Sequence, residues 1–347
     1  MTTDNSYHIS NVPITKTSAA ICAIQKQGLK YVDEWVDYHI GIGFTTIYLY
    51  DNSEDFELKD WHSKRFLQQS TTSTNRVHPP VQIIHWPGTH AGGQQLPAYS
   101  NCTKEIQKHN NTHDWIAFID LDEFFVIKDT NKYPLITNVL DTISSNAGGL
   151  AVNWQFFDFN NQTKYEARPL TMRFTRRKQN NPTNIHVKMI ARSETLKDVW
   201  PTPHEARYKN KTIFSVRNKE YKTVDTNGDT VKGPFNHKVP TDILVLHHYG
   251  SKSVEEFRSR CARGRATVQG GQYDKKTYLA CQSEEEVLDE WRSKEDGTEI
   301  FDDYAWTLLK ERVPAYNIFE TQYQYLWPFL SDESDSPKKY INTISTV

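Results

Sequence analysis

The sequence predicts an α/β fold, with a largely parallel sheet covered by helices on both faces. Three observations predict it. Short apolar runs with no polar face, at residues 19–24 and 115–119, read as strands buried on both sides. Stretches of helical apolar spacing separate such runs. Acidic residues close two of the strands, Asp51 after the second and Asp120 after the fourth.

Each element follows from local chemistry. Residues 30–40 form a helix, with Tyr31, Trp35 and Tyr38 near helical spacing and Gly41 and Gly43 closing it. Residues 45–50 form the second strand, β-branched and aromatic, ending at Asp51-Asn52-Ser53. Residues 81–86 form a third strand and 97–109 a second helix. The fourth strand runs directly into Asp120-Leu121-Asp122-Glu123. Further strands are expected at 150–157, 170–175, 185–191, 213–216 and 243–249. A basic amphipathic helix is expected over 253–265 and a charged surface helix over 284–294. Residues 1–16 and the acidic 331–347 are expected to be tails.

Composition bounds the function. At 37% hydrophobic residues and a net charge of −2, a chain of 347 residues has what a folded core needs and lacks the signature of disorder. That balance carries no clustered basic excess, which argues against a nucleic-acid partner. No run approaches the ~18 apolar residues a membrane span needs. The expectation is therefore a soluble or cytoplasmic protein, or a lumenal one in the secretory pathway if an anchor precedes the chain. Cys22, Cys102, Cys261 and Cys281 form no CxxC pair, so a cysteine-ligated zinc is not expected.

The chemistry concentrates at Asp120-Leu121-Asp122-Glu123. Three carboxylates within four residues, flanked by apolar sequence on both sides, repel one another unless a cation neutralises them. Hard oxygen donors suit Mg²⁺ or Mn²⁺, which bridge to diphosphate oxygens. Phosphohydrolases with an aspartyl nucleophile also start from strand-Asp-x-Asp. They carry Thr or Val two residues on, where this chain has Phe124, and their motif precedes the sheet. A non-catalytic carbohydrate-binding or scaffold protein of the same fold is the other alternative.

Five segments in order carry a resemblance: Ala23-Ile24-Gln25-Lys26; Glu34-Trp35 with Tyr38-His39; Tyr50-Asp51-Asn52-Ser53; Trp115 through Phe124; and His247-His248-Tyr249-Gly250-Ser251-Lys252-Ser253 with Glu256, Arg263 and Gly264. Together they resemble glycosyltransferase family 92 over roughly residues 18–270. The resemblance implies a GT-A fold in one domain over 17–330: a nucleotide-binding half (17–128) and an acceptor-side half (129–330) with a smaller sheet and helix portion. It implies inverting transfer from a UDP-sugar, of galactose type among known members, to a glycan or glycoprotein acceptor, with Mn²⁺ or Mg²⁺.

Carried over residue by residue, Asp122 ligates the metal, and Asp120 meets the ribose or reaches the metal through water. His247 or His248 supplies a later ligand. Only one of the two faces inward, because neighbouring strand residues alternate sides. Asp51 accepts the uracil N3–H, Ile24, Lys26 and Asn101 lie along the nucleotide, and Lys252 and Arg263 neutralise the diphosphate. Inverting transfer needs a general base. Glu205, in Pro203-His204-Glu205, is the first candidate and Asp158 the second, and Trp154 and Phe157 are candidates for stacking on an acceptor sugar.

Overall fold

The computed structural model describes residues 17–67, 80–88, 93–108, 112–198, 200–211, 219–264, 283–292 and 297–319. The expected tails and the strand expected at 213–216 lie outside the described residues.

The first half follows the predicted order, with one further helix, α2, between the second and third strands: β1 (Ala19–Gln25), α1 (Leu29–Gly41), β2 (Thr46–Asp51), α2 (Leu58–His62), β3 (Val81–His85), α3 (Gln95–Lys108) and β4 (Trp115–Phe118). β1 pairs in parallel with both β2 and β4, and β2 with β3. The apolar runs explain themselves once faces are separated. Along β1, Ala19, Ile21 and Ala23 pack into one core while Ala20, Cys22 and Ile24 pack into the other. β4 does the same, with Trp115 and Ala117 on the first face and Ile116 and Phe118 on the second. A disulfide between Cys22 on β1 and Cys102 on α3 ties that helix to the sheet.

The second half adds β5 (Glu123–Ile127), α4 (Ile136–Asp141), β6 (Ala147–Phe156), α5 (Leu170–Arg173), β7 (Arg176–Lys178) and β8 (Val187–Arg192). The short β9 (Asn210–Lys211), β10 (Lys219–Glu220), β11 (Lys222–Val224) and β12 (Thr230–Val231) follow. They lead to β13 (Leu244–His248), α6 (Val254–Arg263), a helix at Glu284–Arg292, β14 (Glu299–Phe301) and a helix at Tyr304–Arg312. The main sheet runs β12-β11-β6-β8-β4-β1-β2-β3, with β13 joined to β6 and β5 to β13. β8 is antiparallel to both β4 and β6, so the sheet is mixed beyond its parallel first half.

One expected strand is a helix. The sequence leads to a strand at 170–175, but Leu170–Arg173 is a helical turn behind Pro169. The buried Glu34 carboxylate accepts the backbone N–H groups of Leu170 (2.5 Å) and Thr171 (2.9 Å) and the Thr171 hydroxyl (2.6 Å). An acceptor on α1 thus satisfies the open N–H groups that a helix start exposes. A tertiary contact overrides local propensity. The 253–265 expectation fares better: Ser253 and Glu256 form a capping box that starts α6.

The core also holds a histidine that makes stability pH-dependent. His39 on α1 is fully buried among Phe44, Phe124 and Phe125, its Nδ1–H donating to the Trp35 carbonyl at 2.8 Å. Burial holds the imidazole down to about 3 against that hydrogen bond. An unfolded histidine titrates near ~6.5. Between those values only the unfolded chain binds the proton, so stability present above pH ~6.5 is lost as pH falls toward 3. At pH 5 the loss through this one group is roughly 2 kcal/mol. Urea unfolding at pH 7 and pH 5 tests this: His39→Phe should show the smaller loss on acidification, and an equal loss in both proteins would rule the mechanism out.

Candidate active site

The site is assembled at the carboxyl ends of β1 and β4, where ligands gather in open α/β sheets. The turn between β4 and β5 presents Asp120, Leu121 and Asp122 there. Trp35 on α1 pins this turn from below, its indole Nε1–H donating to the carbonyls of Asp120 (3.1 Å) and Glu123 (2.9 Å). The Tyr249 N–H donates to the Asp122 carbonyl at 2.9 Å and laces the turn to the end of β13. Gly28 closes the floor, where a Cβ would meet Gln25 Oε1 at 2.7 Å and Leu121 Cδ2 at 2.9 Å. The resulting cleft is lined, among others, by Ile24, Lys26, Asp120, Asp122, His248 and Lys252.

Asp122 is the electrostatic focus. Its Oδ2 accepts from Lys252 Nζ at 2.6 Å, and its Oδ1 lies 3.8 Å from His248 Nε2. Burial raises the Asp122 carboxyl, but Lys252, His248 and Arg260 overrule it and hold the group well below the usual carboxylate range. Lys252 reaches it from a left-handed backbone position, φ 57°, a conformation uncommon outside glycine and concentrated at functional sites. His248 is buried and neutral, since burial brings it down to about 3 against the pull of Asp122.

Asp120 is differently engaged. Its Oδ1 accepts from Gln95 Nε2 at 2.6 Å and its Oδ2 from Lys188 Nζ at 2.8 Å. Lys188, on β8, has no exposed side-chain surface and also lies 3.3 Å from Glu123 Oε2. Glu123 is likewise fully buried, and its Oε2 accepts the Asp120 N–H at 2.8 Å. Burial raises the Glu123 carboxyl, with Asp120 adding to it against Lys188. Burial also raises Asp120, but Lys188 overrides it and holds that carboxyl below its ordinary value. The acidic turn therefore contains its own buried ammonium, which engages Asp120 and Glu123, while Asp122 pairs with Lys252 and turns its Oδ1 toward His248.

The structure brings Ile24, Lys26, Asp120, Asp122, His248, Lys252 and Arg263 together along one cleft. It does not bring Asp51, Asn101, His247, Asp158 or Glu205 to the lining. Asp51 is fully buried, and its carboxylate accepts from Gln25 Nε2, the Ser53 N–H and hydroxyl, and the Leu58 N–H. It organises the β2–α2 turn. Asn101 accepts from the Tyr50 hydroxyl at 2.8 Å. His247 points to the opposite side of β13, against Phe157 and 3.8 Å from Asp302, as strand alternation requires of one histidine in the pair. Glu205 pairs with Arg207 at 3.3 Å, and the Asp158 N–H bonds the Arg176 carbonyl at 3.0 Å. Phe157 is buried core, whereas Trp154 lines the cleft.

Four cleft or near-cleft residues have no role in the sequence reading: Gln95, Lys188, Arg260, and His204, which enters only as the neighbour of Glu205. Lys188 had a signal, since a single ammonium inside the apolar strand Val187–Arg192 needs a buried anion.

A divalent cation is implied by the acidic turn, and the donors fit it in part. Asp122 Oδ1 and His248 Nε2 stand 3.8 Å apart, too far for a hydrogen bond. Two donors each about 2.1 Å from a shared cation cover that gap. His248 Nδ1 is buried without a hydrogen-bond partner. Among the described residues, however, no group of three or more His, Cys, Asp or Glu side chains is placed to cage an ion. The fit is that of a Mg²⁺- or Mn²⁺-like ion with two protein ligands, completed by ligand oxygens and water.

Fold and cleft together define an α/β protein that presents carboxylate and ammonium groups at strand ends. The sequence profile "Glycosyltransferase family 92" matches residues 21–263, and the chain belongs to that family. A glycosyltransferase family 92 protein of Oryza sativa subsp. japonica is 22% identical over 107 residues, 31% of this chain and 16% of the rice protein's length. HddC from Yersinia pseudotuberculosis superposes with a TM-score of 0.32 at 11% identity, over 60% of this chain and 90% of that one. The bifunctional glycosyltransferase WbbM gives 0.28 at 13% identity, over 53% and 33% of the two chains. Both structural likenesses are distant, and the family assignment stands on the sequence match. No helix among the described residues is long and apolar enough to cross a membrane.

Proposed function

We propose that this glycosyltransferase binds a UDP-sugar in the cleft and transfers the sugar, with inversion, to a hydroxyl of a glycan or glycoprotein acceptor. The observation that carries the reading is the convergence on one strand-end cleft of the Asp122 carboxylate, the His248 imidazole and the cations Lys252, Arg260 and Arg263. Asp122 and His248 would hold Mn²⁺ or Mg²⁺, whose charge would neutralise the donor diphosphate. The chain's own cations act on the same oxygens: Lys252 from the β13–α6 turn, and Arg260 and Arg263 from the last turn of α6. Fixed positive charge where the leaving group becomes negative is the largest electrostatic aid such a reaction can receive. Ile24 and Lys26, at the end of β1, are proposed to flank the nucleotide. A galactose-type donor is the first to try. Disulfides persist in oxidising compartments, so the Cys22–Cys102 bond favours a lumenal or extracellular setting over the cytoplasm.

Thermal unfolding with Mn²⁺, UDP, and both together is the direct test. The pair should stabilise more than the sum of its parts, because each completes the other's site; at a hundredfold excess over Kd the gain is about 2.7 kcal/mol. No shift at millimolar Mn²⁺ and UDP would remove the donor reading.

A further inference from the structure

We infer that His204 is the base that takes the proton from the attacking hydroxyl, an inference that rests on the UDP-sugar reading above. The segment Pro203-His204-Glu205 is where the sequence points for a base, yet its carboxylate turns away. The chain makes a tight turn, with the Glu205 N–H reaching the Thr202 carbonyl at 3.4 Å, and Glu205 pairs with Arg207. His204 lines the cleft instead, beside Trp154, and His248 and Asp120 line the same cleft.

Its ring is oriented for the task. Nδ1 lies 2.8 Å from the Val187 carbonyl, which can only accept, so Nδ1 carries the hydrogen and Nε2 the lone pair. Among the described residues Nε2 takes no hydrogen bond, and it is not one of the solvent-sealed atoms. A base held by a backbone carbonyl on one nitrogen, with the other open to a cleft, is a recurrent arrangement for proton abstraction. Burial, with Lys188 nearby, holds the ring down to about 4, so it is neutral at neutral pH. An arriving diphosphate brings negative charge, which favours the imidazolium formed during the reaction.

A second observation supplies the approach. Trp154 stacks on His186 with centroids 4.7 Å apart and an interplanar angle of 19°, and its edge meets His204 at 5.3 Å. His186 in turn meets the edge of Phe235 at 4.8 Å, and Phe235 is 41% exposed. This aromatic row runs from the exposed Phe235 through His186 and Trp154 to His204 and presents apolar ring surface of the kind that packs on the C–H face of a sugar ring. In the step, the acceptor O–H gives its proton to His204 Nε2 as its oxygen bonds to the anomeric carbon. The anomeric carbon–phosphate oxygen bond breaks, and its electron pair leaves with UDP. The imidazolium then returns the proton to water.

The test uses His204→Asn, whose amide can still donate to the Val187 carbonyl but has no acceptor at the Nε2 position. Stabilisation by UDP with Mn²⁺ should remain, while release of UDP from UDP-galactose or UDP-glucose, with water as the acceptor, should fall roughly 10²–10⁴-fold in kcat at little changed KM. Imidazole added to His204→Gly should restore part of that rate in proportion to its concentration, which a merely structural role would not allow. Wild-type UDP release by His204→Asn, no recovery by imidazole, or loss of rate in Glu205→Gln in place of His204→Asn would each overturn the assignment. If the wild-type protein itself showed no UDP-dependent shift, the donor reading would fall first and this one with it.

Discussion

Asp122→Asn is expected to lower turnover by roughly 10³-fold, about 4 kcal/mol of transition-state stabilisation, while the protein stays folded. The substitution keeps the size of the side chain and leaves the Asp122 carbonyl, which accepts from Tyr249, untouched. What it removes is the carboxylate whose Oδ2 holds the Lys252 ammonium at 2.6 Å and whose Oδ1 stands 3.8 Å from His248 Nε2. Asp120 cannot replace it, because Gln95 and Lys188 already engage both of its oxygens. The melting temperature should fall by several degrees, because the buried Lys252 ammonium loses its anion, and the extra stabilisation by UDP with Mn²⁺ should disappear. Steady-state UDP release and thermal unfolding on the same preparations decide it. A variant that turns over at the wild-type rate would mean that neither metal nor donor is held at Asp122.

The first half of the molecule was legible because its strands are short, doubly buried and sequence-local. The Ala19–Gln25 run has no polar face, and the structure gives both of its faces to cores. The Asp120–Asp122 turn was legible for a related reason: acids abutting an apolar strand must sit at its end. What was not legible depends on contacts distant in sequence. Glu34 makes a helix of Leu170–Arg173 across 136 residues, and no local pattern announces that. Lys188 meets Asp120 across 68 residues, so the charge balance of the turn could not be read from the turn alone. Within Pro203-His204-Glu205 the sequence favours the acidic residue, whereas the structure turns the imidazole to the cleft. A carboxylate at 205 and an imidazole at 204 differ by one position, and only the backbone turn decides which of them faces the cleft.

Lys188→Met is expected to cost about 3–5 kcal/mol of stability at neutral pH, the largest loss from any single change at the site. Met matches the unbranched stem of lysine, so packing is nearly kept and the loss reports the charge. Without the ammonium, Asp120 and the fully buried Glu123 face each other with no cation between them, and a buried carboxylate without a partner is far costlier than a buried pair. The sign of the pH dependence follows. Glu123, already raised by burial, rises further, and Asp120 loses the cation that holds it down, so both titrate above their unfolded values, near ~4.3 and ~3.9. The variant binds an extra proton when folded, and its deficit should shrink toward pH 5 and widen toward pH 8. Glu123→Gln added to Lys188→Met should recover part of the loss, because the amide oxygen can still accept the Asp120 N–H, with a coupling of roughly 1–3 kcal/mol. Urea denaturation of the two single variants and the double variant, at both pH values, closes the cycle. A Lys188→Met protein within 1 kcal/mol of wild type, or strict additivity with Glu123→Gln, would mean that water reaches the turn and that the ammonium does not set which of the two aspartates is presented to the ligand.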